Sequence, residues 1–342
     1  MRASLPWLAP AGAVVCGLAL VAAALMPPDA WRAWLGAAFL WASTSIGALT
    51  LLMIMRLAPG DWSAELGPFM QAQTLLLPLG ALLMIPVLAE TARLYPWTHE
   101  TLRTPFRIAW LSTPFFIARS IVWYAVLLAL AWRLVMRDGA VATASIGLVL
   151  LPVMGIAIAD DWLLSLDPDF ASSGFALYVL AIQTLTAFAL MLAALVVSGR
   201  TIARPGILAA LLLTLLLFWD YLAFVHYLIT WSDNLPSGVA WYQRRRGPWT
   251  IVMWLVGASR VVPTFLLFFQ AIRHSPRALL RLSVAVIAGS VLEAAWLALP
   301  AADPPATWSD SVLFAVANLG MGALTVGAFQ RMFAWRMARA AA

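Results

Sequence analysis

Ten runs of about twenty apolar residues, each long enough to cross a bilayer, alternate with short polar connections along the chain. They cover approximately Trp7 to Met26, Trp31 to Met55, Thr74 to Ala92, Ile108 to Trp132, Val141 to Leu164, Ser173 to Val197, Ile207 to Trp231, Trp249 to Ile272, Leu279 to Leu299 and Val312 to Phe333. The predicted fold class is an all-α polytopic membrane protein. The first run follows Arg2 as a signal peptide would, but Pro27 and Pro28 crowd the cleavage point, which predicts a retained helix. The fourth and eighth runs each carry one mid-span arginine. The fifth and ninth each bring an acid and a tryptophan toward one end. This pattern predicts two four-helix bundles as parallel repeats, residues 31–165 and 173–300, within a single membrane domain. Residues 1–26 and 312–333 form peripheral helices.

Composition reinforces the membrane reading. Of 342 residues 63% are hydrophobic and only 11% charged, outside the range of soluble domains. Sorting the loop charges by side puts twelve arginines and three acids with the termini, against seven arginines and ten acids opposite. The positive-inside rule therefore predicts cytoplasmic termini. The net charge of +6 records topology and forms no basic stripe of the kind nucleic acid needs. Cys16 is the single cysteine, which excludes a four-thiolate iron–sulfur site, c-type haem attachment and an intrachain disulfide. His99 and His274 fall by loops on opposite sides, leaving His226 as the intramembrane histidine. No bis-histidine haem and no metal site is expected.

Four charges lie well inside spans: Arg119, Asp220, Arg260 and Glu293. A charge there costs about 2.5–3.5 kcal/mol on insertion scales, and two cations with two anions point to pairing. Asp220 and Arg260 fall at the same depth below Trp231 and Trp249, which predicts that they are neighbours. Arg119 has Asp160 and Asp161 as its nearest acids. Glu293 has no evident partner and is the stronger candidate for a protonatable group. Asp220 reads either as half of a structural pair or as a proton carrier. His226 follows it by six residues, about 120° round and about 9 Å along a helix, too far for one compact site. The proton-path candidates are thus Asp220, His226, Glu293, Asp160 and Asp161, and the structural cations Arg119 and Arg260. Polar groups on apolar spans, among them Ser43, Thr44, Ser45, Gln71, Gln73, Thr74, Gln183, Thr184, Asn318 and Gln330, read as helix-packing contacts or as water-lining groups.

Several stretches carry a resemblance. GDWSAELGPFM, LPLGALLMIPVLAETARLYPW, PFFIARS, DWLLSLDPDFASSGFALY and YLAFVHYLITWSDNLPSGVAWYQRR occur in that order. Together they resemble the second polysulfide-reductase-like (NrfD-like) membrane subunit of alternative complex III, its F subunit. The resemblance implies ten helices with two four-helix bundles, and a place in a quinol-oxidising respiratory complex of a bacterial inner membrane. It implies haem c and iron–sulfur clusters in partner subunits, a second NrfD-like subunit beside this one, and proton movement here in place of a main quinone or quinol site. This sequence departs from the family at Asp169 and Phe170 after SLDP and at Ser237 and Gly238 after NLP. Two rival readings remain, a stand-alone secondary transporter and a purely structural membrane anchor.

Overall fold

The computed structural model describes residues 5–99, 104–137, 140–233, 235–301 and 307–341; Asn234, within one of the quoted motifs, lies outside them. The described residues form helices and no strand. Among the described residues ten helical segments are long and apolar enough to span a membrane: α1 (Leu8–Leu25), α2 (Trp31–Leu57), α3 (Asp61–Ala89), α4 (Thr113–Met136), α5 (Val141–Leu166), α6 (Phe175–Val197), α7 (Pro205–Ser232), α8 (Pro248–Leu266), α9 (Pro276–Ala301) and α10 (Trp308–Arg339). An even number of crossings returns the chain to the side on which it started, here called the terminal side.

Proline sets several boundaries. It occupies the first turn of α4, α8 and α9, where its missing N–H would have no helical partner in any case. Inside α3 it has the opposite effect. Pro78 cannot bond back to Thr74, and the span divides into Asp61–Thr74 and Leu77–Ala89. The third span therefore starts thirteen residues before the predicted Thr74, and Asp61 and Glu65 belong to its first turns. Both acids are held from the next connection on that side. Arg204 pairs with Asp61 at 2.6 Å, and the Ala203 and Arg204 amides donate to Glu65. The fourth span starts later than predicted, at Thr113, after a separate short helix at Pro105–Trp110.

Packing follows two rings. α2, α3, α4 and α5 close one ring of contacts, and α6, α7, α8 and α9 close another. The rings meet where α2 lies against α6 and α9, with α5 also touching α6. α2 is consequently buried on nearly every side, from Trp31 to Met55. α1 packs along α10, which in turn lies on α2 and α3. The approach is close because the facing residues are small: a Cβ on Gly12 would meet the Leu324 amide nitrogen at 2.3 Å, and one on Gly327 the Ala9 nitrogen at 2.5 Å. Helix contact in lipid depends on such packing, since lipid tails are as apolar as leucine.

Candidate functional site

The second ring encloses a hydrogen-bonded cluster. Glu293 on α9 and Arg260 on α8 are both fully buried and pair at 3.0 Å. The Arg260 guanidinium also donates to the Val286 carbonyl at 2.6 Å and to Ser290 Oγ at 2.8 Å, and it faces the Trp219 ring at 5.3 Å. Glu293 Oε1 accepts from the Tyr178 hydroxyl and from Trp219 Nε1, the latter at 2.9 Å. Ser290 exchanges a 2.7 Å hydrogen bond with Thr186 on α6. All four helices of the ring therefore contribute: Tyr178 and Thr186 from α6, Trp219 from α7, Arg260 from α8, and Ser290 and Glu293 from α9.

This corrects two expectations. Glu293 does have a cation, and Asp220 is not the acid that Arg260 binds. Asp220 Oδ2 accepts from Thr264 Oγ1 at 2.9 Å, and Thr264 sits one turn beyond Arg260, whose carbonyl its hydroxyl also approaches at 3.0 Å. The two are near each other, as their equal depth predicted, but linked through a hydroxyl. Glu293 has both oxygens filled by donors, so it is the fixed anion of the cluster and not its most available proton acceptor. Asp220 Oδ1 is buried and makes no hydrogen bond to the described residues.

His226 lies on α7 toward the far side. Its Nδ1 is 3.0 Å from Ser172 Oγ, while Nε2 has no hydrogen-bond partner among the described residues. The ring stacks on Tyr178 with centroids 5.8 Å apart and planes 5° from parallel. Phe170, Phe175 and Trp241 complete an aromatic cage. Tyr178 thus touches both His226 and Glu293, joining residues that the helical spacing alone keeps apart. His226 also lines a cavity of about 160 Å³ between the 170–174 connection and Thr230, Leu235, Ser237 and Gly238.

The first ring holds a second pair. Arg119 on α4 and Asp161 on α5 form a two-pronged bridge at 2.6 and 2.8 Å, with the guanidinium over both the Trp110 and Phe115 rings, 4.2 and 4.4 Å from their centres. Trp162 Nε1 donates to Ser120 Oγ at 3.0 Å, tying the same helices. Arg119 sits in the second turn of α4, whereas Arg260 sits in the fourth turn of α8. Arg119 is therefore not mid-span as predicted, because the fourth span starts after the short helix that precedes it. Asp160 takes no part in the pair and lines a wider cavity of about 400 Å³ with Arg107 and Trp110. This cavity and that of His226 share residues 170–173, so the two rings open toward one connection on the far side.

That far side is pinned by arginines. Arg107 donates to the Pro168 carbonyl at 3.0 Å, and Arg244 pairs with Asp167. Arg245 donates to the Trp296, Leu297 and Trp241 carbonyls at 3.1, 3.1 and 2.9 Å, and lies 3.6 Å from the Trp241 ring centre. Burial pushes the Arg245 guanidinium down to about 9, with the Asp167 carboxylate acting in the opposite direction. It therefore remains charged at neutral pH, capping the carbonyls at the end of α9.

Sequence reasoning missed Tyr178, Trp219, Ser290, Thr186, Thr264 and Arg245. Tyr178 and Arg245 had a signal, as the last residues of the DWLLSLDPDFASSGFALY and YLAFVHYLITWSDNLPSGVAWYQRR motifs. Among the described residues no group of three His, Cys, Asp or Glu side chains is placed to hold a metal ion. No protein-family model matches the chain, and no curated protein matches it.

Proposed function

We propose that this chain is an integral membrane subunit of a quinol-oxidising respiratory complex similar to alternative complex III, where it scaffolds partner subunits and carries protons. The observation that carries the proton role is a pair of buried polar atoms on α7 that have no hydrogen-bond partner among the described residues. They are Asp220 Oδ1 and His226 Nε2, at two depths of one helix, and both lie near an anion, Glu293, that accepts from three donors. A group that takes up and releases protons is best served by an atom with no donor already on it, whereas Glu293 is held by a guanidinium, a hydroxyl and an indole. His226 would exchange protons with the far-side cavity and Asp220 with the interior of the ring, while Arg260 and Glu293 hold the geometry.

The place in a respiratory complex rests on the order of the quoted motifs along the chain. In this reading the membrane is a bacterial cytoplasmic membrane with the terminal side cytoplasmic, as the arginine distribution supports. The chain holds no redox cofactor of its own, and haem c and iron–sulfur clusters reside in partner subunits. Quinol oxidation releases protons together with electrons, so protonatable groups beside such a complex have a direct use.

The test begins with purification of the tagged chain in mild detergent, an optical spectrum, and mass spectrometry of what accompanies it. Copurified c-type haem and an iron–sulfur protein are the expected result. A stable haem-free protein in several detergents that moves a solute by itself would return the reading to a secondary transporter. Within the assembled complex, Asp220→Asn should lower the protons moved per electron more than it lowers quinol oxidation. An unchanged ratio would leave the chain as an anchor.

A further inference from the structure

A cavity of about 430 Å³ lies in the terminal-side half of the protein, between α6 and α10, and reaches Gln73 on α3. Its walls are mainly apolar, with Leu190, Ala194, Val326 and Phe329 among them. Four polar side chains interrupt that lining. Ser198 and Gln330 are half-buried and bonded, Ser198 donating to the Leu195 carbonyl and Gln330 accepting from the Leu5 amide, whereas Gln73 and Thr325 are almost wholly enclosed, at 0% and 2% exposure. The enclosed two each leave one atom without a hydrogen bond to the described residues, Gln73 Oε1 and Thr325 Oγ1.

The orientation of the Gln73 amide follows from its neighbour. Thr44 gives its only hydroxyl hydrogen to the Trp41 carbonyl at 2.6 Å, so it can only accept from Gln73, whose Nε2 lies 2.7 Å away. The free atom of Gln73 is therefore its carbonyl oxygen, an acceptor. Thr325 offers a hydroxyl, which can donate or accept. An acceptor and a hydroxyl enclosed against mainly apolar walls match a ligand that is apolar along its length and hydroxylated at one end. Water would satisfy the polar end alone and leave the apolar walls dry.

We propose that this cavity binds a membrane-soluble amphiphile with a hydroxyl-bearing head, the hydroxyl donating to Gln73 Oε1 and an oxygen of the same head accepting from Thr325 Oγ1. The site is separate from the Glu293 cluster and does not depend on the respiratory reading. Two sources supply this chemistry in a membrane: a quinol, and a neutral lipid such as a monoacylglycerol. Their hydroxyls make the same hydrogen bonds.

The experiment uses the full chain in mild detergent, with decylbenzoquinol and monooleoylglycerol added in separate arms and thermal unfolding followed by tryptophan fluorescence. One of the two probes should raise the midpoint of the wild-type chain in a saturable manner. Thr325→Val, nearly isosteric, should weaken the apparent affinity for that probe about tenfold, the value of one hydrogen bond. Ala194→Phe should abolish the shift by filling the space. The arm that responds identifies the source. A cavity that holds only water gives no shift with either probe in the wild-type chain, and that result would overturn the proposal. So would equal affinity in the wild-type and Thr325→Val proteins. Should Thr325→Val not yield folded protein, mass spectrometry of an organic extract of the wild-type chain decides: about one hydroxylated lipid per chain supports the site, and none refutes it.

Discussion

Replacing Arg260 by methionine would leave the Glu293 carboxylate buried with only Tyr178 and Trp219 as donors. Breaking one side of a buried pair costs about 3–5 kcal/mol, whereas removing both charges together is often nearly neutral. Arg260→Met should therefore lower the thermal midpoint sharply, and Arg260→Met with Glu293→Leu should recover most of the loss. If the double variant is no more stable than the single one, the pair is not the main interaction of the cluster. The presence of intramembrane charges was legible in the sequence, because each stands out against an apolar run. Their partners were only half legible. Counting from span ends placed Asp220 beside Arg260, and Thr264 does join them, but a count of backbone positions cannot register how far an arginine side chain reaches. That reach takes the guanidinium to Ser290 and Glu293 on α9. Tyr178 and Trp219 escaped notice for a different reason. In a chain with 18 tryptophans, aromatic residues on spans read as interface anchors, and nothing in their spacing marks the two whose polar tips reach Glu293.

Between elements, the closest approach at the edge of the protein is α1 on α10. The buried positions of α1 are Ala9, Gly12, Cys16, Ala19 and Ala23, spaced by alternating threes and fours, the period of a helix seam built here from small residues. Gly320 and Gly327 face them, and a Cβ on Gly320 would lie 2.9 Å from the Cys16 nitrogen. Gly12→Leu should pry α1 from α10 and expose Cys16, the single thiol, which is buried in the native packing. In mild detergent the variant should react with a small maleimide at least several-fold faster than the wild-type chain, as read by mass. Gly17→Leu, at a position with nothing within 4 Å of an added Cβ, is the matched control and should react at the wild-type rate. The helices themselves were plain in the sequence, since a run of twenty apolar residues has few other solutions. The start of the third was not. Asp61, Glu65, Gln71 and Gln73 made its first half read as a loop. The fold accommodates these groups because each has a partner: Arg204 for Asp61, the 203–204 amides for Glu65, Arg336 for Gln71 and Thr44 for Gln73.

At the scale of the whole molecule, the two rings meet along α2 and α6, and one close approach there depends on a residue without a side chain. A Cβ on Gly47 would fall 2.0 Å from the Gln183 carbonyl oxygen and 2.9 Å from the Ala187 Cβ. No rotamer relieves a clash with backbone, so a larger residue there must push α6 away from α2. Thr186, adjacent to Ala187, hydrogen-bonds Ser290, which in turn receives Arg260. A displacement of α6 would therefore strain the Glu293 cluster as well as open the seam between the rings. Overpacking a tight contact costs about 1–3 kcal/mol where neighbours can yield, and here the obstacle is main chain, so Gly47→Val should meet or exceed the upper end of that range. Gly17→Val, exposed and unobstructed, should be close to neutral. Because the two disturbances share Thr186 and Ser290, Gly47→Val combined with Arg260→Met should be less destabilising than the sum of the two alone, as coupled sites are. Additive losses would mean that the seam and the cluster are independent.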